Sequence, residues 1–434
     1  MRVLVVSGSR AAMPDPVYPL GAAIVATTAR RAGHEVAWFD ALHHADADAA
    51  LAETVRAFAP EAILLSIRNI DNAAFPSVER HFEDHRSLAA VCRRESGAPL
   101  VLGGSGFSLM PEAFLADLCA DFGVVGEGET AVPALLDALA SKRTWPRLSS
   151  RGGPLAPPFL APDRDLFDAR WYYERGGTAN VQGKRGCELR CVYCTYPVLE
   201  GACVRAVEPG LVVDEMEALA RSGMRHVFVV DSVFNRPEAH AAAVCDEILR
   251  RGLDISFTGY FVPQGRLQEL PALLKRAGCQ AAELGTDSLN DEVLTRLRKG
   301  FTAGEALDFS RRLAEADIKQ CHNLVFGGPG ETEATMEESV ARMDAIDPAA
   351  VIATIGLRVY PGTDLAAERR AGSGSSLEPV FFIEEAVEGT VVERVAAWVK
   401  DRRGWICPGL GQRYNPRYLA RLRKRHKGPL WSLF

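Results

Sequence analysis

Short apolar runs alternate with longer amphipathic stretches along most of this chain. In the first part, apolar runs at 2–6, 35–39, 62–66, 100–103 and 122–125 are separated by amphipathic segments such as 20–32 and 130–140. Strands that alternate with helices in this way form a parallel sheet covered by helices. The pattern predicts an α/β, doubly wound, Rossmann-like domain over residues 1–145. Ligands of such domains bind beyond the carboxyl ends of the strands.

The alternation resumes after a segment rich in proline and glycine. Residues 146–177 contain Pro146, a Gly-Gly-Pro run and two consecutive prolines, which predicts a linker. Six further apolar runs follow, at 179–182, 227–231, 255–260, 281–285, 323–326 and 351–356. They predict a partial (β/α)6 barrel over 178–370 and a less regular C-terminal cap over 371–434. In barrels of this kind, the chemistry takes place at the C-terminal ends of the strands.

Composition places the chain among ordinary globular proteins. Its 434 residues are enough for two domains, and 47% hydrophobic with 24% charged residues excludes the disordered and fibrous classes. No apolar stretch approaches the ~20 residues that cross a bilayer, so we expect a cytoplasmic protein without a membrane span. The net charge of -6 favours no nucleic-acid partner. The basic run at 421–427 is more typical of a solvated helix face.

Three cysteines lie together in one short loop, as Cys187, Cys191 and Cys194. In a chain without an export signal, clustered cysteines indicate metal ligands rather than disulfides. Three thiolates leave one iron of a four-iron cubane open to an external ligand, whereas structural zinc normally takes four protein ligands. Cys203 is the nearby candidate for a fourth ligand, so a structural zinc site remains the alternative.

The Cys-x3-Cys-x2-Cys spacing, with Tyr193 before the third cysteine, resembles the radical S-adenosylmethionine (SAM) superfamily. The resemblance implies a 4Fe-4S cluster on the three cysteines, whose open iron binds the amino and carboxylate groups of SAM. It also implies cleavage of SAM to a 5'-deoxyadenosyl radical by an electron from an external donor such as flavodoxin or ferredoxin. Tyr193 would then lie near the adenine.

Later segments follow the order of motifs in that superfamily. Residues 231–235 stand where a Gly-Gly-Glu often receives the SAM amino group, and they depart from that pattern. Residues 283–288 resemble the fourth-strand segment that meets the ribose, 323–332 the fifth-strand Gly-Pro-Gly-Glu-Thr turn, and 358–363 the sixth-strand exit. Any one of these turns alone suits a plain strand-to-helix connection. Together they imply that SAM is contacted by Asp231, Ser232, Asp287, Ser288 and Gly327.

The loops of the first domain resemble the cobalamin-binding domain that precedes many radical SAM barrels. The implied cobalamin contacts are Pro19, Gly21, Ser66, Arg68, Asn69, Gly103, Gly104, Gly126, Glu127, Gly128 and Glu129. Glycine lets the backbone approach a flat macrocycle closely. The Asp-x-His-x-x-Gly motif is missing from this domain, which implies a cobalt without a protein imidazole. A flavin or nucleotide fold, or a domain that no longer binds a ligand, is the alternative.

The loop after the central strand presents Arg68 to the predicted crevice. We expect Arg68 to approach the lower face of the corrin, because a guanidinium is a poor metal donor. The competing expectation is that Arg68 pairs with Asp71 or with a corrin amide. Three further catalytic candidates lie where predicted strands end near the barrel mouth, and each also suits a packing role: Tyr260, His322 and Tyr360.

The two resemblances together imply a cobalamin-dependent radical SAM methyltransferase. Such an enzyme moves a methyl group from SAM, through methylcobalamin, to a carbon of a small-molecule or peptide substrate. The Arg68 loop and the tail at 427–431 resemble the tryptophan 2-C-methyltransferase branch, with a lipid-biosynthesis-like branch as the alternative. The same motifs also suit a radical cyclase, a rearrangement or lipid-modifying enzyme, or a non-enzymatic cobalamin sensor. A methylthiotransferase is disfavoured, because the first domain has only Cys92 and Cys119.

Overall fold

Two parallel sheets, each covered by helices, form the protein in this computed structural model. The structure describes residues 1–150, 156–157, 159–368, 377–411 and 416–433. The α/β class, with a Rossmann-like domain before a partial barrel, is confirmed. Among the described residues, no helix has the length and apolar character needed to cross a membrane.

The first sheet has six parallel strands in the order β2-β1-β3-β4-β5-β6. Its strands are Arg2–Ser7 (β1), Glu35–Asp40 (β2), Ala62–Ser66 (β3), Leu100–Gly103 (β4), Phe122–Val125 (β5) and Leu148–Ser150 (β6). Its helices are Leu20–Arg31 (α1), Ala47–Phe58 (α2), Phe82–Glu95 (α3), Ser105–Leu109 (α4), Pro111–Asp117 (α5) and Gly128–Ala140 (α6). Strand β6 lies within the predicted linker, so the sheet extends past residue 145.

Alternating residues of the first sheet are buried on opposite faces. Val3 and Val5 pack in one apolar cluster with α1 and α6. Leu4 and Val6 pack in another with α2 and α3. Because side chains alternate along a strand, a strand that is apolar throughout has to be covered on both faces.

The second sheet has seven parallel strands in the order β17-β14-β13-β12-β11-β10-β7. The strands of this domain are Ala179–Val181 (β7), Lys184–Arg185 (β8), Arg205–Ala206 (β9), His226–Val229 (β10), Ser256–Phe261 (β11), Cys279–Asp287 (β12), Lys319–Phe326 (β13), Ala350–Ile355 (β14), Leu357–Arg358 (β15), Phe381–Phe382 (β16) and Trp405–Ile406 (β17). The pairs β8–β9 and β15–β16 are small antiparallel ladders outside the main sheet.

Helices cover the second sheet and continue into the C-terminal region. They are Ala169–Gly176 (α7), Tyr196–Glu200 (α8), Pro209–Arg221 (α9), Glu238–Arg251 (α10), Leu270–Arg276 (α11), Asp291–Arg296 (α12), Ala303–Glu315 (α13), Glu333–Ile346 (α14), Asp364–Glu368 (α15), Val391–Asp401 (α16) and Pro416–Arg425 (α17). The predicted barrel-to-cap boundary after residue 370 lies outside the described residues. Strand β17 belongs to the predicted cap yet pairs with β14, so the cap supplies an edge strand of the barrel sheet.

Candidate active site

The cysteine loop lies between β8 and α8, on the side of the barrel that faces the first domain. Its backbone is held by hydrogen bonds from the Cys187 amide to the Gly201 carbonyl and from the Cys194 amide to the Cys191 carbonyl, both 3.1 Å long. Cys187 is buried, and Cys191 and Cys194 are half-buried. Cys203 is exposed and outside the loop. All four thiols are free.

The donor set of this loop suits a cubane cluster. Burial raises the pKa of the three thiols, that of Cys194 to about 12, and a bound metal centre would favour their thiolate forms. Within the described parts of the chain, no three His, Cys, Asp or Glu side chains converge on a single ion. A cubane takes its thiolates on separate iron atoms, so three cysteines of one loop fit it.

Asp231 and Ser232, which are predicted to contact SAM, form hydrogen bonds within the protein. Asp231 Oδ1 accepts hydrogen bonds from the amides of Gly183 (2.7 Å) and Lys184 (2.8 Å), and its side chain is 1% exposed. The Ser232 hydroxyl donates to the Gly186 carbonyl at 2.9 Å. These contacts hold the segment that leads into the cysteine loop, so both side chains position that loop in this structure.

Asp287 and Tyr193 meet beside the cysteine loop. The Tyr193 hydroxyl donates to Asp287 Oδ2, and the Lys299 ammonium lies 2.7 Å from the same oxygen. Asp287 has a backbone φ of 60°, in the left-handed region that non-glycine residues adopt only occasionally. Sequence reasoning missed Lys299, because the position of a lone lysine after a helix carries no motif.

Ser288 and Gly327 are also engaged within the protein. The buried Ser288 hydroxyl shares a 3.1 Å hydrogen bond with Ser339 and accepts one from the Asn290 amide. The Gly327 amide donates to the buried carboxyl of Glu331, whose pKa burial raises to about 8. Both residues therefore shape the turns after β12 and β13, and their contact with SAM remains a prediction.

A cavity of about 640 Å³ separates the first domain from the barrel. Its wall includes nearly every residue that the sequence predicts for cobalamin: Pro19, Gly21, Ser66, Arg68, Gly103, Gly104, Gly126, Glu127, Gly128 and Glu129. Asn69 is not in this wall, and its carbonyl accepts a hydrogen bond from the buried His85 ring. The barrel side is formed by Thr195, Tyr196, Phe228, Val230 and Tyr260.

This cavity suits a large flat cofactor. At Gly104, which has a φ of 100°, a Cβ atom would lie 2.5 Å from the Ile67 carbonyl oxygen, so only glycine fits this loop. At Gly126 the space beside the backbone is open. No histidine is found among the described residues of the wall, so none of them offers an imidazole to a bound cobalt.

Arg68 brings a cation of the first domain into the wall of this cavity. Its guanidinium has no hydrogen-bond or ion-pair partner among the described residues, and burial lowers its pKa. Tyr172, Tyr196 and Tyr260 line the same cavity. The expected pairing of Arg68 with Asp71 is wrong, because Asp71 instead forms a buried 2.8 Å ion pair with Arg358.

Glu127 and Glu129 have partners on the barrel. Arg205 Nη2 lies 2.7 Å from Glu127 Oε1, and Arg185 Nη1 lies 2.6 Å from Glu129 Oε1. Both guanidinium groups stack on the ring of Phe159. Arg185 directly precedes the segment of the cysteine loop, so this network connects the cobalamin loops of the first domain with that loop.

The three catalytic candidates from the barrel lie in different places. Tyr260 faces the cavity, packed edge-on against Phe228 at 5.0 Å between ring centroids. His322 is fully buried between Thr286 and Gln320, and burial lowers its pKa to about 3. Its expected place at the barrel mouth is therefore wrong, because its side chain points into the protein core.

Tyr360 is half-buried next to the pair of Arg358 and Asp71. The Arg358 guanidinium lies 4.7 Å from its ring centroid, and Tyr360 is not in the cavity wall. The structure thus places it at the domain contact rather than in the wall of the cavity. A strand end predicts the correct edge of the sheet, but it does not fix the direction of the side chain.

Two family models match the chain. The Radical SAM superfamily model matches residues 181–343, and the B12 binding domain model matches residues 8–136. The residues that the Radical SAM model matches include the cysteine loop. The residues that the B12 binding domain model matches include the glycine loops of the cavity.

Characterised proteins match the chain over both domains. The tryptophan 2-C-methyltransferase of Streptomyces laurentii is 27% identical over 432 aligned positions, which cover 81% of this chain and 72% of the relative. The hopanoid C-3 methylase of Methylococcus capsulatus is 26% identical and covers 68% of this chain and 59% of that protein.

A solved structure matches the whole molecule. The radical SAM methyltransferase TsrM from Kitasatospora setae, solved with tryptophan and a SAM analogue, has a TM-score of 0.87 and 25% identity. The match covers 99% of this chain and 96% of that structure. The chain therefore belongs to the cobalamin-dependent radical SAM family, in the branch of its methyltransferases.

Proposed function

We propose that this enzyme methylates a ring carbon of tryptophan or of a closely related small indole. The observation that carries the proposal is the cavity between the domains, which is lined by Arg68 of the first domain and by Tyr260 of the barrel. The similarity to a tryptophan 2-C-methyltransferase over both domains supports the indole as substrate. Bound cobalamin would carry the methyl group between SAM and the substrate carbon.

The role proposed for Arg68 is to keep a metal donor away from the lower face of the cobalamin. The guanidinium has no free lone pair for a metal and keeps its proton in proteins. Its place in the cavity wall, without a protein partner among the described residues, leaves it free to face the cofactor. Arg68 would thus leave the cobalt of bound cobalamin without a protein donor on that face, and the cofactor would supply a methyl group for an electron-rich ring.

The role proposed for Tyr260 is to orient the indole. Burial raises the pKa of its phenol above the ordinary value, so the hydroxyl keeps its proton and donates a hydrogen bond at neutral pH. Its ring and that of Phe228 give the cavity an aromatic wall, on which an indole packs favourably. Tyr260 is 39% exposed because it faces the cavity.

The substrate is tested with enzyme that is anaerobically reconstituted with iron, sulfide and cobalamin. It is incubated with SAM that carries a deuterated methyl group, and with tryptophan, tryptamine, indole or a tryptophan-containing peptide. Mass spectrometry should find the labelled methyl group on the indole ring of tryptophan or of one small analogue. If the label were found on cobalamin but on no indole, the proposed substrate would be wrong, while methyl transfer from SAM to cobalamin would still be shown.

Replacing Arg68 tests its proposed role. Arg68→His offers an imidazole to the cobalt, and we expect turnover to fall about 100-fold, the usual effect of losing a positioned electrostatic group. The absorption spectrum of bound cobalamin should change at the same time. Arg80→Ala, which removes an exposed arginine of the same domain, is the control and should change neither quantity. An unchanged spectrum and unchanged turnover in Arg68→His would place Arg68 away from the cobalt.

The cellular setting forms part of the proposal. We propose that the enzyme works in the cytoplasm, on a small molecule rather than a nucleic acid, with electrons from a flavodoxin or ferredoxin. The net charge of -6 gives no general attraction to phosphate backbones. Replacing a chemical reductant by purified flavodoxin and its reductase tests the donor, because a competent donor supports multiple turnovers.

A further inference from the structure

A buried lysine beside the cysteine loop has no role in the function proposed above. Lys299 follows α12, and its side chain is 7% exposed. Its ammonium lies 2.7 Å from Asp287 Oδ2 and 3.5 Å from the Tyr193 hydroxyl. The rings of Tyr193 and Phe301 lie within 6 Å of the ammonium. An apolar and aromatic shell therefore holds a charged pair at this position.

The charge of Lys299 reaches the cysteine sulfurs. The Val192 amide, between Cys191 and Cys194, donates to the Leu297 carbonyl at 3.2 Å, so the turn that carries Lys299 packs on the cysteine loop. Asp287 carries the opposite charge and accepts the hydrogen bond of the Tyr193 hydroxyl, from the residue directly before Cys194. The two sulfurs thus lie in the field of a cation and an anion that are themselves paired.

A cluster on these thiols would respond to that field. Reduction adds one negative charge to a centre that three thiolates already make negative, so a nearby cation stabilises the reduced form more than the oxidised form. Because the surroundings are poorly hydrated, the interaction is screened less than in water. The reduction potential of iron-sulfur clusters depends on such charges and on solvent exposure.

We propose that the pair of Lys299 and Asp287 sets the reduction potential of the cluster, with Lys299 raising it and Asp287 lowering it. The step concerned is a one-electron reduction of the 4Fe-4S centre from the 2+ to the 1+ state. The electron comes from a low-potential donor, and no bond or proton changes. Tyr193 supports the pair, because its hydroxyl donates to the Asp287 carboxylate.

The test is a redox titration of the reconstituted holoenzyme without SAM, followed by electron paramagnetic resonance. Lys299→Met should lower the ratio of reduced to oxidised cluster at a fixed potential about tenfold, which is about 59 mV for a one-electron couple. Asp287→Asn should shift the potential to higher values. The double variant should return towards the wild type, and Lys299→Arg, which keeps the charge, should stay close to it.

A second lysine provides the matched control. Lys275 forms a 2.8 Å pair with Asp317 at the opposite end of the barrel strands, and Lys275→Met should leave the potential unchanged. Equal potentials in the wild type, Lys299→Met and Asp287→Asn would overturn the proposal. An unchanged potential with weaker SAM binding in Lys299→Met would also overturn it, by assigning the ammonium to the SAM carboxylate. If Lys299→Met fails to hold a cluster, Asp287→Asn and the double variant decide by the sign of their shifts.

Discussion

Asp71 and Arg358 form an ion pair that joins the two domains inside the protein. The Arg358 Nε atom lies 2.8 Å from Asp71 Oδ2, and the side chains are 4% and 1% exposed. Arg358 also donates to the Val359 carbonyl at 2.8 Å. Burial of two charges costs desolvation free energy, which is offset only when both partners are present. The pair therefore fixes where the domains meet more than it stabilises either one.

Asp71→Asn would leave the buried Arg358 without its carboxylate. We expect the free energy of unfolding to fall by about 3–5 kcal/mol, measured by urea denaturation of the cofactor-free protein. The control is Glu378→Gln at the exposed pair with Arg80, where the expected change is about 0–1 kcal/mol. Similar small losses in both variants would show that Asp71 and Arg358 are hydrated in solution.

At the scale of elements, a hydrogen bond joins α7 to the end of β2 beside the cavity. The helix begins after Asp168, whose side chain accepts a hydrogen bond from the Trp171 amide at 3.0 Å. Asp40 is the last residue of β2. Its Oδ2 atom accepts a 2.7 Å hydrogen bond from the Tyr172 hydroxyl of α7. Since Tyr172 is also in the cavity wall, this contact fixes one side of the cofactor cavity.

The free energy of unfolding should depend on pH through the Asp40 carboxyl. Burial raises the pKa of Asp40 to about 6, although the hydrogen bond from Tyr172 opposes the rise. In the unfolded chain the pKa is about 3.9, so between these values the folded state binds a proton that the unfolded state lacks. The resulting stabilisation is complete below about pH 4 and is lost as the pH rises through about 6.

Asp40→Asn should remove this dependence. Two pKa units correspond to about 3 kcal/mol, so the difference in unfolding free energy between wild type and variant should change by that amount between pH 4 and 7. Urea denaturation at several pH values measures it. Parallel curves for the two proteins would mean that Asp40 has an ordinary pKa in the folded state.

At the scale of the whole molecule, the C-terminal tail closes the barrel at the end opposite to the cysteine loop. The indole of Trp431 packs against Ala281, Cys321 and Ala350. Its Nε1 donates to Glu283 Oε1 at 2.8 Å, and burial raises the pKa of that carboxyl to about 7. Small side chains on three neighbouring strands thus make room for one large ring from the distant chain terminus.

Trp431→Ala should destabilise the whole barrel. It creates a cavity and leaves the buried Glu283 without its donor, so we expect a loss of about 3–5 kcal/mol in thermal or urea unfolding. Trp431→Phe keeps most of the packing and should lose only about 1–3 kcal/mol, the effect of the missing hydrogen bond. Equal losses in both variants would assign the stabilisation to the hydrogen bond alone.

Local patterns in the sequence predicted the alternating strands and helices of this protein and the loops that line its cavity. The alternation of strands and helices, the cysteine spacing and the glycines after strand ends are all readable within short windows, because periodicity and turn chemistry are local properties. Two strands of the main sheets were missed, Leu148–Ser150 and Trp405–Ile406, because two or three residues are too few to show an alternation.

The sequence by itself determined the α/β frame, the three-cysteine loop and a glycine-lined crevice without a histidine in its described wall. Only the tertiary structure decided which charges meet. It paired Glu127 with Arg205, placed Lys299 beside the cysteine loop and buried His322 in the core. Those partners come from distant parts of the chain, and the identity of a charged partner depends on how the sheets pack. No local pattern encodes that packing, because it results from all long-range contacts together.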